Sequence, residues 1–538
     1  MKTSPILVVI LFSGLGNWGL AAEAVGPTTP NPGLKYYYPV PAAEKPETIK
    51  VDVCVYGGTP GGIGAAVQAR RMGKTAVLAV FRRHVGGLTA AGLTAVDLGK
   101  KESIGGMAAE FLDRVGKWSG FRPSQAEKTF LAMLNEAGVP VRYEQRLKEV
   151  KKDGNRITAL VMEDGTTIEA AMFVDATYEG DLFARAGVSY FVGRESNETY
   201  GETVNGWQLA KTHQFRFPVD PYRTPGDPAS GLLPGIVAGD PPKPGTGDKR
   251  VQAYNFRMWA ITADKGHAWP KPANYNREDF ALLERYILTK PDFDWDWTYK
   301  HGPVKLNSGD CNNAGPISTD FVEASDKWPD ASYEEREKIF QAHVTYQQGM
   351  MWYLANDEKM PESIRTFAKK FGLPKDEFLE TMGWPHDLYV REARRMISDV
   401  VMNEKHCAGK EVAADSVGLA SYTMDSHHCS RWVINGVVKG EGNVEKGTPQ
   451  PYPVSYRSIV PKEKECANLL VPVCLSSTHI AYGSIRMEPV FLLLGQSAGT
   501  AASIAIDKKI PVQEVPYAEL KELLLKDKQK LAWEPVSK

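Results

Sequence analysis

The chain has 538 residues, more than a single hydrophobic core serves, so two or three domains are expected. Hydrophobic residues make up 43% and charged residues 24%, the balance of a soluble globular protein rather than a disordered chain. A net charge of -1 excludes recruitment of nucleic acid or an anionic membrane by an overall field.

Lys2 precedes the apolar run "PILVVILFSGLG" and then the small residues "LAAEAVG". That order of basic, apolar and small regions predicts a secretory signal over residues 1-24, cleaved after Ala22 or Ala24. The mature protein is then expected in the periplasm or outside the cell. An uncleaved membrane anchor is the competing reading. The run is short for a bilayer span, and no later segment is predicted to be long and apolar enough for one. "FLLLGQSAGTAASIAI", broken by Gly and Gln, reads as a buried helix.

A Pro-rich stretch, 25-48, leads into "VDVCVYG", an apolar run of the kind a central parallel strand needs. A glycine turn, a helix ending at Gly73 and a second strand, "TAVLAVF", complete a βαβ unit. The turn reads Gly57-x-Thr59-x-x-Gly62. Gly57 makes the tight turn and Gly62 allows close helix–sheet packing. Gly58, Pro60 and Gly61 keep a sharp entry to the helix, whose N-terminus attracts phosphate. Two positions depart from the dinucleotide fingerprint. Thr59 stands where a glycine would let the backbone approach a pyrophosphate, and Phe81 stands where an acidic residue would hold a ribose. Arg82 and Arg83 follow. Three readings stay open at this point: an arginine meeting the ribose 2′-phosphate of NADP, FAD with its ribose held elsewhere, or an inherited unit that binds nothing.

"HVGGLTAAGLTAVDLG" then offers Gly86, Gly87, Leu88 and Thr89 in a loop poor in side chains, against which a large planar ligand can lie. Asp153-Gly154 and Asp164-Gly165 predict hairpin turns. The last strand, "AMFVDAT", runs into "YEGDL". Six cysteines, Cys54, Cys311, Cys407, Cys429, Cys466 and Cys474, lack C-x-x-C spacing, which supports neither an iron–sulfur cluster nor structural zinc. Outside the cytosol they leave room for one or two disulfides. Cys54 lies in the first strand and reads as a small buried residue.

Gly57 to Gly62, the Gly86-Gly87 doublet and "VDATYEGDLFARAG" occur in the order seen in the FAD-dependent oxidoreductase superfamily. The sequence resembles the secreted bacterial FAD-dependent oxidoreductase family, some members of which carry a xanthan-lyase label. It is more distantly similar to the flavin subunit of heterodisulfide reductase. "GPISTDF", "GWPHDLYVREARRM", "DSVGLASYTMDSHH", "PYPVSYRSIVP" and "NLLVPVCLSSTHIAYGSIRMEPVFLLLGQSAGTAA" extend the resemblance over residues 50-512. It implies an α/β protein: a Rossmann-like, glutathione-reductase-like FAD-binding domain with an inserted α+β substrate or cap domain. The first part of the FAD domain is expected over 49-200, the Trp-rich insert over 201-395, the return over 396-512 and a helical tail over 513-538. The implied cofactor is FAD. With the turn and loop residues above, Ala176, Thr177, Gly180, Asp181, Met487, Glu488 and Gly495 are expected to hold it. The iron–sulfur cysteines of the heterodisulfide reductase relatives are missing, so that activity is not carried over.

A helix is predicted to begin near Glu488-Pro489, proline suiting a first turn, and its N-terminus would face the flavin pyrimidine. Gly495, Ala498, Gly499, Ala501 and Ala502 also suit plain helix packing. Arg486 would pair with reduced flavin or an anionic substrate, or else form an ordinary ion pair. His386, Arg391, Arg394 and Arg395 lie at the end of the insert, with Arg391 and Arg395 expected on one helical face. Histidine suits the base that removes a proton as hydride leaves, so His386, His427 and His479 are candidates, each weighed against a structural role. His84 offers a covalent flavin link or a pyrophosphate contact. Asp415, Asp425, His427 and His428 match no metal-ligand spacing, and no metal is expected. The expected function is an exported flavoenzyme passing hydride between FAD and a small organic substrate, carbohydrate-derived molecules included. Its partners would be that substrate and an electron acceptor or donor, with no nucleic acid and no stable membrane insertion. A flavin-fold lyase or isomerase, or a binding protein that has lost its cofactor, are the alternatives.

Overall fold

The structure, a computed structural model, describes residues 33-295 and 302-534. The signal segment predicted over 1-24 lies outside them. The first apolar run forms β1 (Thr48–Tyr56), whose buried half, Val53 to Tyr56, crosses the core. Gly57, at φ +116°, turns the chain into α1 (Pro60–Arg71). β2 (Ala76–Ala79) returns parallel to β1 and pairs Val53 with Ala76 and Tyr56 with Ala79. Phe81 therefore lies beyond the sheet rather than in it.

Helices α2 (Gly87–Ala90), α3 (Gly106–Val115) and α4 (Pro123–Glu136) lead to β3 (Val141–Arg142). The Gly86-Gly87 segment is thus a short helical turn and not an open loop. The two Asp-Gly turns join β4 (Leu147–Asp153), β5 (Arg156–Met162) and β6 (Thr167–Asp175). The sheet runs β3-β2-β1-β6-β5-β4, with β1 parallel to β6 from Thr48–Thr167 to Tyr56–Asp175. β7 (Leu469–Leu470) pairs in parallel with Phe173 and Val174 of β6, so two distant parts of the chain build one sheet.

A second core gathers around α5 (Tyr333–Asn356), started by a reciprocal cap between Ser332 and Glu335. Leu34, Tyr36 and Tyr37, from the Pro-rich stretch, join this core instead of trailing in solvent. The amides of Tyr36 and Tyr37 donate to Glu337 of α5 at 2.6 and 2.8 Å. Phe81 and Tyr178, from the first core's side, pack against it as well.

α6 (Glu488–Lys508) begins where the proline predicts and lies against α1. Its crossing is closed by glycine. A β-carbon on Gly495 would sit 1.9 Å from Gly61 O, and one on Gly499 2.5 Å from Ala65 O. Contrary to the sequence expectation, this helix is long and apolar enough to cross a membrane, but 94% of that stretch is buried inside the fold. Core packing explains its hydropathy. All six cysteines are buried free thiols, so the disulfides left open by the sequence are not formed.

Candidate active site

The turn after β1, the segment after β2 and the segment after β6 meet at the carboxyl ends of parallel strands, where open α/β sheets bind ligands. They surround a cleft of about 690 Å³, closed from the second core by Tyr36, Trp328 and Leu388. Of the predicted cofactor residues, Gly57, Gly58, Thr59, Phe81, Arg82, Gly87, Leu88, Thr177 and Asp181 line it. Thr59 caps α1. Its hydroxyl donates to Ala176 O at 2.7 Å and accepts from Gly62 N at 3.3 Å, so the hydroxyl is engaged within the protein. The first turn of α1 carries no acidic residue, which leaves the positive end of the helix dipole uncompensated toward the cleft. A β-carbon on Gly57 would come within 2.5 Å of the Ala176 carbonyl. This floor of bare backbone and helix N-terminus fits a pyrophosphate, and Thr59 does not spoil it.

The ribose end differs. The Phe81 ring stacks on Tyr36 with centroids 4.9 Å apart and stands 4.9 Å from Tyr333, and it offers no acceptor. Arg82 bonds to Asp387 at 3.0 Å and to the carbonyls of Lys35 and His386 at 2.9 and 2.6 Å. Arg83 pairs with Glu144 at 3.1 Å. Both guanidiniums are committed to protein partners, which removes the support for a ribose 2′-phosphate and hence for NADP. His84 lines the cleft, with Nδ1 held 3.0 Å from Glu127 and its ring stacked 3.9 Å from that of His386. Burial alone would lower the pKa of His84; the Glu127 carboxylate outweighs it and raises it.

Pro60, Thr89 and Glu488 border a separate apolar cavity of about 230 Å³. Gly61, Gly62, Gly86, Ala176, Gly180, Met487 and Gly495 are not among the cleft's lining residues; Gly495 in particular serves the helix crossing. At the start of α6, Glu488 accepts from Thr89 N at 3.1 Å, from Thr89 Oγ1 at 2.9 Å and from the Tyr178 hydroxyl at 2.8 Å. That hydroxyl in turn accepts from Leu88 N at 2.9 Å. Burial pushes the Glu488 carboxyl up to about 7, the hydrogen bonds only partly opposing it. Burial likewise pushes Glu179, in the cleft wall, up to about 7. Asp181 is the reverse case. Burial pushes it up, but Arg336 at 2.6 and 3.0 Å and Arg394 at 2.8 Å prevail and hold it at about 2. Two arginines thus occupy the carboxylate expected to contact cofactor.

The segment 385-394 is not helical, so Arg391 and Arg395 share no helical face. Arg391 donates to Asp320 at 2.8 Å, and Arg395 to Glu195 at 2.7 Å and to the Ser477 carbonyl at 2.9 Å. His427 stands between two carboxylates, Nδ1 2.7 Å from Asp320 and Nε2 3.1 Å from Asp425. Burial pushes both aspartates up; their cationic neighbours more than reverse it. Arg486 continues the chain, donating to Asp425 at 3.1 Å and to the Tyr389 hydroxyl at 2.8 Å. Around the Tyr389 ring stand Arg391 at 4.3 Å, Arg486 at 5.8 Å and Arg257 at 6.0 Å. Tyr389 also packs with Leu88 and Leu93 of the Gly87 segment.

The histidines expected as bases are less free. His479 lies between Glu392 at 2.7 Å and Ser426 at 2.8 Å. Burial holds its pKa well below the usual value, as it does for His386. Asp415 belongs to a different cluster, bonded to Ser455 and Arg457. Among the described residues no group of three or more His, Cys, Asp or Glu side chains is placed to hold a metal. Tyr178, Asp320 and Tyr389 escaped sequence reasoning. Tyr178 and Tyr389 lie inside quoted blocks, but a tyrosine in a core-rich stretch carries no local signal.

A family model of FAD dependent oxidoreductases matches residues 52-524. Solved structures with a local likeness include the THI4 protein of Thermovibrio ammonificans, 22% identical over 29% of this chain and 71% of that one, TM-score 0.23. A 3-ketosteroid-Δ4-(5α)-dehydrogenase from Rhodococcus jostii RHA1 is 14% identical over 25% and 48%, and a mutant flavin monooxygenase from Stenotrophomonas maltophilia 19% over 28% and 43%, both with TM-score 0.20. The match thus spans less than half of the latter two chains. None of the curated proteins matches significantly. With the family model spanning both parts of the sheet and α6, the chain belongs to the FAD dependent oxidoreductase family, whose cofactor is FAD.

Proposed function

We propose that the protein is an exported oxidoreductase that passes hydride between FAD and a small organic substrate, with a buried cluster of Tyr389, Arg486 and Arg391 serving the reaction. One observation carries this reading. Three arginines surround a single buried tyrosine beside the Gly87 segment, and a chain of charges from Arg391 through Asp320, His427 and Asp425 to Arg486 holds two of them there. Burying so many charges is expensive for a fold that needs only stability, and perturbed buried groups cluster at functional sites.

Each residue has a role in this reading. FAD supplies the hydride acceptor or donor. Arg486 donates to the Tyr389 oxygen, which leaves the phenolic proton free to move to or from a substrate oxygen. His427 is a positioning residue: it bridges Asp320 and Asp425, the carboxylates that hold Arg391 and Arg486. Arg394 braces Asp181 against the cleft wall. The Trp-rich insert and the family resemblance favour a carbohydrate-derived substrate and the secreted branch of the family. The order of basic, apolar and small residues at the start of the chain supports export.

The deciding experiment is the visible absorption spectrum of the mature protein, purified without added cofactor, before and after denaturation. A flavin spectrum with chromophore released on denaturation is expected, followed by anaerobic bleaching with sugars or sugar alcohols. A yellow protein that no alcohol, aldehyde, amine or sugar bleaches, and whose reduced form none of their oxidised counterparts reoxidises, would sink the hydride-transfer reading.

A further inference from the structure

The cleft over Gly57 adjoins a second cavity of about 790 Å³, with which it shares Tyr36, Arg82 and His84. Phe81, where a ribose carboxylate would stand, lines the first cleft; the second cavity takes over at Arg82 and extends past the carboxyl ends of β2 and β3, the side of the sheet on which a dinucleotide's adenosine lies. Its walls come from four separate stretches: Lys35 and Tyr38 before the fold proper, Arg82 to His84 after β2, Arg146 after β3, and Glu380 to His386 farther along the chain.

Two buried side chains in its lining carry nitrogen atoms without hydrogen-bond partners. Arg146 is 1% exposed, and neither its Nε nor its Nη1 has a partner. His386 is 6% exposed, and its Nε2 has none. The other two arginines in the lining are spoken for: Arg82 by Asp387 and Arg83 by Glu144. The carboxylates closest in sequence and space, Glu144 and Glu163, bond to the hydroxyls of Tyr38 and Tyr37. Arg146 is held by aromatic side chains: it hydrogen-bonds the Tyr38 hydroxyl, and its guanidinium stands 4.2 Å from the Tyr38 ring, 5.3 Å from Tyr37 and 5.5 Å from Phe81. A buried guanidinium that stacks on rings but leaves N–H groups unpaired is prepared for a planar, acceptor-rich, anionic ligand.

We propose that this second cavity takes the adenosine end of FAD, and that Arg146, stacked on Tyr38 and aided by His386, replaces the ribose carboxylate absent at Phe81. Phe81 then serves the site as a ring backing the Arg146 guanidinium, and the stretch before β1 completes the cofactor's enclosure. The exchange is chemically sensible. A carboxylate recognises the two ribose hydroxyls, whereas an arginine among aromatic rings recognises the base face and the neighbouring phosphate charge.

The test uses holoprotein and the variants Arg146→Met and Tyr38→Leu. Flavin dissociation is followed by fluorescence, with the unfolding midpoint as a check on folding. Losing the stacked cation should raise the FAD dissociation constant about 10-fold. The ADP concentration that releases half the flavin should stay the same, because ADP and FAD lose the same contact. Unchanged FAD affinity in a folded variant would overturn the proposal. So would a 10-fold fall in the ADP needed, which would place the loss at the flavin end. If Arg146→Met does not fold, Tyr38→Leu, at a half-buried position, decides by the same two readings. This proposal rests on FAD being the cofactor: a colourless wild type that takes up no FAD would overturn both, whereas a yellow one with indifferent variants would overturn only the role of Arg146.

Discussion

The Tyr178 hydroxyl donates to Glu488 at 2.8 Å while accepting from the Leu88 amide at 2.9 Å, tying the segment after β6 to the start of α6 through the Gly87 turn. The acceptor is a carboxyl that burial has raised to about 7, against an ordinary value near ~4.3. Between those values the native state keeps a proton that the unfolded chain has released. Stability therefore falls as pH rises through that window, with no penalty below about pH 4 and the full penalty above about pH 7. Glu488→Gln removes the titration and keeps the acceptor. In cofactor-free protein it should be more stable than wild type at pH 8, by up to about 3 kcal/mol, and equal to it near pH 4. Glu179, also raised to about 7, leaves a residual slope. Denaturant midpoints across pH 4 to 8, roughly the window set by those pKa values, decide it; parallel curves for the two proteins would refute the assignment.

Asp181 makes the opposite contribution. Its carboxyl is held at about 2 by Arg336 and Arg394 against the push of burial. The stability it lends is complete above its unfolded value of ~3.9 and is lost as pH falls toward 2. Arg336→Met should cost about 3–5 kcal/mol at neutral pH, since it strips a buried carboxylate of its bidentate partner. Adding Asp181→Asn should recover part of that loss. Urea unfolding of the single and double variants measures both, and a double variant no better than the single would contradict the pairing.

The α1–α6 crossing predicts a contrast between glycines. Gly495→Ala forces a methyl to within 1.9 Å of Gly61 O, so the helices must part just where α1 begins the phosphate floor. A loss of about 1–3 kcal/mol is expected from such overpacking. Gly447→Ala, with nothing within 4 Å, should stay within about 0.5 kcal/mol of wild type. Thermal unfolding of the pair checks the geometry.

Tyr389→Phe removes the hydroxyl that Arg486 contacts and leaves the ring among its three arginines. Turnover with a bleaching substrate should fall about 100-fold, with flavin content and unfolding midpoint retained. Undiminished kcat would show that the proton moves elsewhere. His427→Asn should lower kcat through Tyr389's surroundings while leaving flavin content unchanged, as befits a positioning residue.

Local sequence determined much of the scaffold. The apolar run at Val51, the turn at Gly57 and the proline at Pro489 name their own conformations, because a central strand, a positive φ and a helix first turn each restrict residue choice. The two Asp-Gly pairs mark their turns for the same reason. Charge pairing left no such trace. The arginines after Phe81 look free in sequence and are bound to Asp387 and Glu144. Arg391 and Arg395 look like one helical face, yet lie in different ion clusters on an extended segment. Tyr389 meets Arg257 and Arg486 only because three stretches far apart in sequence come together beside the Gly87 turn. Backbone conformation follows from neighbours a few residues apart, and so it can be read along the chain. Where a buried charge finds its partner depends on which distant segments share a desolvated space, and tertiary packing alone decides that.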